Sequence, residues 1–397
     1  MIKTAKRLKN IIPSATTEMM IKARELKDQG VDVIDLSIGE PDFPTPELII
    51  EYAVTAMKEG FTKYTNFDGI PELKDAVITK FKRDNGISYS REEVIITAGA
   101  KQAVFNALMA TLEEGDEVIV LVPYWVAYPE IIKLTGATPV FAPLDPESGY
   151  SRTVEEIESY VTNETVAIVL NSPSNPTGAL LGDNFIKELI ELCSNKNILI
   201  VSDETYEQIV FDKKYKSIAA YDGDINTALV INSMSKAYSM TGWRIGYAAG
   251  PKQLIKKMVQ IQAQSTSCPN SIAQKASIDA INGDQSMVIK MREEYKRRRD
   301  FVYSELSKIP DISLHNPDGA LFVFPDVSSY YGFNQNGKTI DNSVDFSEFL
   351  IDQFNLVTVP GAAFGCDKNI RISYAASMPV IREGIQRFKK ALKSIRE

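Results

Sequence analysis

The hydrophobic pattern of the chain alternates between short apolar runs and longer segments with apolar residues at helical spacing. Apolar runs typical of buried strands lie at Val94–Thr97, Glu117–Val122, Thr138–Pro143, Val166–Leu170, Ile198–Val201, Ala228–Ile231 and Arg244–Ala248. Predicted helices separate these runs at 47–58, 71–83, 98–112, 127–135, 153–161 and 183–194. The alternation predicts an α/β fold with a mostly parallel sheet and helices on both of its faces.

The two ends of the chain carry a different pattern. Near the start, the sequence predicts a helix at Thr17–Gln29 and a strand at Val31–Ile38. Long helices are predicted over 251–308, and a new α+β pattern begins at Asp311. Its predicted parts are strands at Ala320–Phe324, Val357–Val359 and Ile370–Tyr374, a helix at Val344–Gln353, a polar loop at Tyr331–Lys338 and a final helix. The length of 397 residues suggests one large and one smaller domain.

Composition and charge narrow the possible classes of function. A net charge of −8 gives no electrostatic case for binding nucleic acid, and no apolar run approaches the length of a membrane span. Three widely spaced cysteines show neither a disulfide framework nor a metal-binding spacing, which favours a reducing compartment, and we expect the cytoplasm. The basic residues between Lys3 and Lys9 faintly resemble a transit peptide, but a basic start to the first helix is favoured. A single histidine, His315, argues against a histidine-based triad and excludes a multi-histidine metal site.

The polar residues of most interest follow the ends of predicted strands. Trp125, Asn175, Asp203, Tyr206 and Lys236 come after different strands. In an open α/β sheet such positions meet at one crevice, where ligands bind. The sequence therefore predicts a single site at this edge of the sheet.

The segment around Lys236 indicates what this site binds. Ser233 and Ser235 precede the lysine, and Arg244 follows it. Serine hydroxyls and an arginine supply the donors that a phosphate dianion needs, and a lysine amine can add to a carbonyl group. The turn at Ala98–Ala103 opens a helix whose free N–H groups could also bind phosphate. Together these features favour pyridoxal 5′-phosphate (PLP) held as an imine on Lys236, although a solvated loop with an ordinary lysine is the simpler alternative.

Three motifs carry a resemblance to a known family. They are Asn175-Pro176-Thr177-Gly178, Asp203-Glu204-Thr205-Tyr206 and Ser233-Met234-Ser235-Lys236. With these three motifs in this order, the chain resembles class I aminotransferases of PLP fold-type I. Among them it is most similar to the bacterial aspartate aminotransferase (aspartate/prephenate) subgroup. The resemblance implies a large PLP-binding domain at 46–285 with a mostly parallel seven-stranded sheet flanked by helices. It also implies a smaller α+β domain built from both termini, at 1–45 and 286–397.

The resemblance implies roles for the residues near the cofactor ring. Lys236 would form the Schiff base and then move a proton between the substrate Cα and cofactor C4′. Asp203 would face the pyridine nitrogen, Tyr206 and Asn175 would bind the phenolic oxygen, and Trp125 would stack on the ring. Taken singly, Asp203 also fits a helix N-cap and Trp125 fits a core position.

The resemblance also implies how phosphate and substrate would be held. The phosphate would be bound by Ser233, Ser235, Arg244 and the backbone N–H groups of Ala100 and Lys101. Tyr64 would reach this phosphate from the neighbouring subunit of a homodimer. Arg371 would clamp the substrate α-carboxylate, assisted by Gly39, Asn175 and Trp125, although a structural ion pair is the alternative for this arginine.

The implied reaction is transamination of L-aspartate and 2-oxoglutarate to oxaloacetate and L-glutamate, with small molecules as the only ligands. A second cation is then needed for the side-chain carboxylate, and Lys101 is a candidate. Alternatives are an aminotransferase for aromatic amino acids, prephenate or alanine, and a non-catalytic PLP-binding regulator. Ile11 and Ile12 stand where relatives that accept prephenate often carry a basic residue, which argues against prephenate.

Overall fold

The computed structural model describes residues 2–11, 15–221, 227–335 and 338–396. Ile12, together with Asn336 and Gly337 of the predicted polar loop, lies outside the described residues. The helices are α1 Ala15–Asp28, α2 Glu47–Lys58, α3 Pro71–Lys80, α4 Ala100–Thr111, α5 Ala127–Thr135, α6 Val154–Glu158, α7 Asp183–Lys196, α8 Lys252–Ser265, α9 Ser271–Asn282, α10 Ser286–Leu306, α11 Ser343–Phe354 and α12 Met378–Arg396. The strands are β1 Ile34–Asp35, β2 Val94–Thr97, β3 Glu117–Val122, β4 Thr138–Pro143, β5 Thr165–Asn171, β6 Leu199–Asp203, β7 Ala228–Ser233, β8 Gly246–Ala249, β9 Phe322–Val323, β10 Asn334–Gln335, β11 Lys338–Thr339, β12 Leu356–Val357, β13 Val359–Pro360 and β14 Ile370–Ser373.

A seven-stranded sheet forms the centre of the larger part of the molecule. Its strand order is β2-β8-β7-β6-β5-β3-β4, and β8 runs antiparallel to both of its neighbours while the other pairs are parallel. The predicted mostly parallel sheet is therefore confirmed. Asn171 of β5 pairs with Asp203 of β6, so these two polar residues lie side by side where their strands end.

The alternation of side chains along each strand explains why helices cover both faces. Ile119 and Leu121 of β3 pack into one cluster of buried residues, to which α3, α7 and α9 contribute. Val118 and Val120 of the same strand pack into another cluster, to which α4, α5 and α8 contribute. β3 is thus buried on both sides, as is typical of a strand inside a parallel sheet.

A separate core joins the two ends of the chain. The antiparallel sheet β13-β14-β9 packs with α10, α11 and α12 around residues such as Phe322 and Phe388. Leu36 belongs to the same cluster, and β1 pairs in parallel with β12. Gly384 of α12 permits the close approach, because a Cβ at this residue would lie 2.5 Å from Leu36 Cδ1.

Several predicted boundaries differ from those observed. The strand expected at Val31–Ile38 is only Ile34–Asp35, and just after it the Asp35 carboxylate accepts hydrogen bonds from the backbone N and Oγ of Ser37. The helix expected to reach residue 83 leaves α geometry at Lys80, and a π turn ends before Gly86, at φ 73°. The helix expected at 153–161 covers only Val154–Glu158.

The basic N-terminal residues form a short 3₁₀ helix, Lys6–Asn10, rather than the start of α1. The strand expected from Arg244 begins at Gly246, because Arg244 itself has a φ of 56°, outside the strand region. Within the described ranges, no helix has the length and apolar character needed to cross a membrane. The same residues contain no group of three or more His, Cys, Asp or Glu side chains placed to hold a metal ion.

Candidate active site

A cavity of about 320 Å³ opens where the parallel strands end. All of the residues predicted for the site except Tyr64 line it, which brings together Gly39, Ala100, Lys101, Trp125, Asn175, Asp203, Tyr206, Ser233, Ser235, Lys236, Arg244 and Arg371. The lining also includes Val126, Tyr128, Asn171, Thr205 and Thr241. Residues from β5, β6, β7 and β14 therefore converge on one space, as the positions of the motifs predicted.

Lys236 lies in the turn that follows β7. Its Nζ donates a hydrogen bond of 2.7 Å to the backbone oxygen of Gly39. Burial lowers the pKa of this amine to about 8; the positive charges of Arg371 and Arg244 act in the same direction, and Glu40 opposes them. A larger share of Lys236 is therefore neutral near physiological pH than of a lysine with an ordinary pKa, which suits a nucleophilic amine and a proton acceptor.

Asp203 is the last residue of β6, and its carboxylate is buried. Its Oδ1 accepts hydrogen bonds from Thr205 Oγ1 at 2.7 Å and Thr205 N at 3.2 Å, while Oδ2 accepts one from Tyr128 Oη at 2.8 Å. Burial raises the pKa of Asp203, and these donors, together with Lys236, oppose that rise. A buried carboxylate held by donors in this way favours a cationic group in the adjoining cavity.

Arg371 projects from β14 and is 3% exposed. It donates from Nη1 to Asn175 Oδ1 at 3.0 Å and from Nη2 to Ser37 O at 2.6 Å, and its carbon Cζ lies 4.3 Å and 5.0 Å from the ring centres of Phe322 and Phe364. Its Nε has no hydrogen-bond partner among the described residues, and none of the ion pairs formed by those residues includes it. Burial lowers the pKa of Arg371 to about 10, so the group stays a cation and lacks an anion.

The turn between β2 and α4 forms a seat for a dianion. Ala100 and Lys101 begin α4, where backbone N–H groups have no partner within the helix. Arg244 Nη2 donates to Ala98 O at 3.2 Å, and a Cβ at Gly99 would lie 2.4 Å from this nitrogen. Gly99 has a φ of +89°, so glycine serves both the turn and the close approach of the guanidinium group.

Ser233 and Ser235 complete this seat from the end of β7. Ser233 Oγ lies 2.7 Å from Ser235 Oγ and 3.0 Å from Ser235 N, so the two hydroxyl groups are neighbours. Gly246 of β8 lies behind them, and a Cβ there would be 2.5 Å from Ala100 N. Hydroxyl, amide and guanidinium donors thus meet in the same part of the cavity, and this donor set fits a phosphate group.

Trp125 and Lys101 form the side wall of the cavity. Lys101 Nζ lies 5.0 Å from the centre of the Trp125 ring, and this ring meets Tyr128 edge-on at 5.3 Å. Burial lowers the pKa of Lys101, and Arg244 lowers it further. The indole ring is thus positioned by Tyr128 and by the ammonium group of Lys101, which lies over it, and all three residues line the cavity.

Comparison with known proteins identifies the family. The family model described as aminotransferase class I and II matches residues 31–388. The chain belongs to this family. A probable aspartate/prephenate aminotransferase of Rickettsia typhi is 45% identical over 396 residues, covering 98% of each chain, and an aspartate aminotransferase of Bacillus sp. YM-2 is 42% identical over 392 residues, covering 98% of this chain and 99% of that protein.

Solved structures show the same family relationship. The aspartate aminotransferase of Thermus thermophilus with maleate has a TM-score of 0.93 at 39% identity, covering 98% of this chain and 100% of that chain. The aspartate aminotransferase of Rhizobium meliloti has a TM-score of 0.95 at 40% identity, covering 99% of each chain. The chain is thus an aminotransferase with the α/β fold of these enzymes, and the family uses PLP.

The residues of this aminotransferase fit PLP on three independent grounds. The donor set of Ser233, Ser235 and Arg244 suits the phosphate, the buried carboxylate of Asp203 suits the pyridine nitrogen, and the Lys236 amine suits the aldehyde. Among the residues that the structure describes, Arg371 has no anionic partner, and it suits a substrate carboxylate. The structural ion pair that was the alternative for Arg371 is not observed among those residues.

Tyr64 does not join the site within one chain. Its side chain is 90% exposed, and Met57, Phe67 and Leu48 are also exposed on this aminotransferase. An exposed tyrosine agrees with the expectation that it would serve a neighbouring subunit, but one chain alone leaves this a prediction.

Sequence reasoning missed Tyr128 and Asn171. Asn171 Nδ2 donates to Asp203 O at 3.0 Å, and its Oδ1 accepts from Asn175 N at 2.7 Å, so it fixes two predicted site residues of the aminotransferase. Its place at the end of a predicted strand was an available signal. Tyr128 lies on the buried face of α5, where nothing in the local pattern distinguishes it from a core residue.

Proposed function

We propose that this aminotransferase transfers the amino group of L-aspartate to 2-oxoglutarate, giving oxaloacetate and L-glutamate, through Lys236. The observation that carries the proposal is Arg371, a buried cation with no carboxylate partner in the described part of the chain, in the same cavity as the Lys236 amine and the Asp203 carboxylate. An amino acid substrate supplies the missing carboxylate. Relatives named aspartate aminotransferase, and a neighbouring structure that contains maleate, support a dicarboxylic substrate.

Lys101 supports recognition of the second carboxylate. Its side chain lines the cavity, and the pKa of its amine is lowered by burial and by Arg244, so an anion placed beside it would raise that pKa and stabilise the charged form. Aspartate and 2-oxoglutarate each carry two carboxylates, and Arg371 and Lys101 offer one cation to each. Tyrosine and alanine would leave Lys101 without this partner.

The residues divide the chemistry between binding and proton transfer. Bound PLP would act as an electron sink for charge that develops at the substrate Cα. Asp203 would hold the pyridine nitrogen in its protonated form, Tyr206 and Asn175 would donate to the phenolic oxygen, and Trp125 would cover the ring. Lys236 Nζ would take the proton from the substrate Cα and return one at C4′, while Arg371 would fix the α-carboxylate so that the Cα–H bond faces this amine.

Assembly and compartment belong to the same proposal. A homodimer would bring Tyr64 of each chain to the phosphate of its partner, and the exposure of Tyr64 supports this. Residues 46–285 would form the large domain, with 1–45 and 286–397 forming the smaller one. The shared core of Leu36 with the C-terminal elements supports this division. The three free cysteines support a reducing compartment, and we expect the cytoplasm.

The experiment is a half-reaction screen of the purified PLP form. The visible absorption band is followed after addition of single amino acids, and aspartate and glutamate should convert it fastest. If aspartate ranked far below tyrosine or alanine, the dicarboxylate assignment would be wrong. Prephenate is tested in the reverse half-reaction, since several relatives are named aspartate/prephenate aminotransferase. A protein that binds PLP but converts no amino acid would be a regulator instead.

A further inference from the structure

We infer that Tyr128 is a positioning residue for Asp203. Its hydroxyl group holds one carboxylate oxygen, so that the carboxylate keeps its orientation and its negative charge towards the nitrogen of the cofactor ring. The inference rests on the proposed function, because it concerns the group that Asp203 would bind. It adds a residue from α5 to a site otherwise built from strands, the loops that follow them and the start of α4.

The contact itself is short and buried. Tyr128 is 2% exposed, and its Oη donates to Asp203 Oδ2 at 2.8 Å. Thr205 occupies the other oxygen, Oδ1, with both its hydroxyl and its backbone N–H. The two donors hold opposite ends of the carboxylate, so rotation about its Cβ–Cγ bond would break at least one of them. A carboxylate oxygen has room for more than one hydrogen bond, so Oδ2 can still accept from a ligand.

The packing of Tyr128 fixes the direction of this donor. Its ring meets Trp125 edge-on, with an interplanar angle of 80° and centres 5.3 Å apart, and the remaining surface lies in the apolar cluster between α5 and the sheet. Burial and the neighbouring Asp203 raise the pKa of Tyr128, so its hydroxyl keeps the proton that it donates. The tyrosine is thus a permanent donor rather than a proton relay.

This arrangement affects charge as well as orientation. Burial favours the protonated form of Asp203, and the hydrogen bonds from Thr205 and Tyr128 oppose that tendency. Removal of the Tyr128 hydroxyl would make the ionised form of Asp203 less stable and would weaken its pairing with a protonated ring nitrogen. The affinity for a ring without that nitrogen would not depend on the Tyr128 hydroxyl, because such a ring offers Asp203 no N–H and no positive charge.

The test compares two ligands and two tyrosines. Dissociation constants are measured by equilibrium dialysis for PLP and for an analogue in which a C–H group replaces the pyridine nitrogen. Tyr128→Phe should weaken PLP binding about tenfold, which equals about 1.4 kcal/mol, and should change binding of the analogue by less than about twofold. Tyr124→Phe is the matched control, because Tyr124 does not line the cavity and its ring stacks on Phe141 instead. This control should leave both constants unchanged.

The outcomes separate a positioning role from a purely structural one. Equal weakening of both ligands by Tyr128→Phe would mean that the tyrosine only shapes the cavity, and no weakening of either would also overturn the inference. In an Asp203→Asn background, Tyr128→Phe should lose its effect on PLP. Tyr128→Leu removes the same donor and serves if the phenylalanine protein does not fold. Failure of the wild-type protein to bind PLP would refute the proposed function itself, a result distinct from each of the others.

Discussion

Replacement of Arg371 by lysine tests the assignment of the substrate clamp. A guanidinium group has five N–H donors in a fixed plane, of which Nη1 and Nη2 already hold Asn175 Oδ1 and Ser37 O. The other donors are left for a carboxylate, and the plane lies between the rings of Phe322 and Phe364. A lysine keeps the charge but cannot hold both protein partners and bind a carboxylate through two parallel bonds.

The size of the effect follows from the bonds that are lost. One hydrogen bond to a charged group contributes about 1.5–3 kcal/mol, and loss of one corresponds to roughly 10- to 150-fold in kcat/KM. We expect Arg371→Lys to lower kcat/KM for aspartate by this factor and to leave the visible band of bound PLP in place. The assay is the steady-state rate with aspartate and 2-oxoglutarate, together with a PLP titration.

A second buried arginine provides the control. Arg299 is 2% exposed and, unlike Arg371, it pairs with Asp212 and does not line the cavity. Arg299→Lys should lower thermal stability without a comparable change in kcat/KM. If Arg371→Lys retained the wild-type kcat/KM for aspartate, the unpaired cation would not be the substrate clamp.

Three further predictions concern Lys236 and the phosphate seat. Lys236→Ala should abolish transamination, measured as the rate of the aspartate half-reaction, and a wild-type rate would exclude this lysine as the catalytic group. Because only the neutral amine attacks an aldehyde, and the pKa of Lys236 is lowered to about 8, capture of PLP by the unloaded protein should accelerate as pH rises and level off above about 8. A midpoint near the ordinary lysine value would contradict the effect of burial. Gly99→Ala places a Cβ 2.4 Å from Arg244 Nη2 and should weaken PLP binding at least about tenfold, whereas Gly86→Ala, at φ +73° with nothing within 4 Å, should cost about 1 kcal/mol of stability and leave binding intact.

Two strands of the large sheet were predictable to the residue. The buried strand Glu117–Val122 and the more exposed edge strand Thr138–Pro143 are observed as predicted, because both are apolar runs bounded by turn residues. The short strand β1 was not, because its length depends on distant pairing with β12 and on a local side-chain contact from Ser37 to Asp35. Arg244 was likewise predicted as strand, but it adopts a positive φ, and its side chain contacts Ala98 O.

Some residues of the site could be recognised from neighbouring sequence, and others only from their packing in the fold. Lys236 and Asp203 were predictable as cavity residues because each stands in one of the three motifs, whereas Arg371 was expected there only through the resemblance to the family. Tyr128 was not, since a buried tyrosine in a helix has the same local pattern whether or not a carboxylate lies opposite its hydroxyl. Hydrogen-bond partners far apart in sequence are determined by packing, and a single sequence gives little information about them.

The clamp around Arg371 has a consequence for the order in which function is acquired during synthesis. Ser37, Asn175 and Arg371 come from opposite ends and the middle of the chain, yet they form one set of hydrogen bonds. A growing polypeptide that has passed Gly246 already contains Lys236, Asp203 and the proposed phosphate donors. It does not yet contain Arg371, which emerges near the end of translation. Fragments lacking the last strand would therefore retain the residues proposed to hold the vitamin-derived ring and lose Arg371, the residue proposed to bind the substrate α-carboxylate.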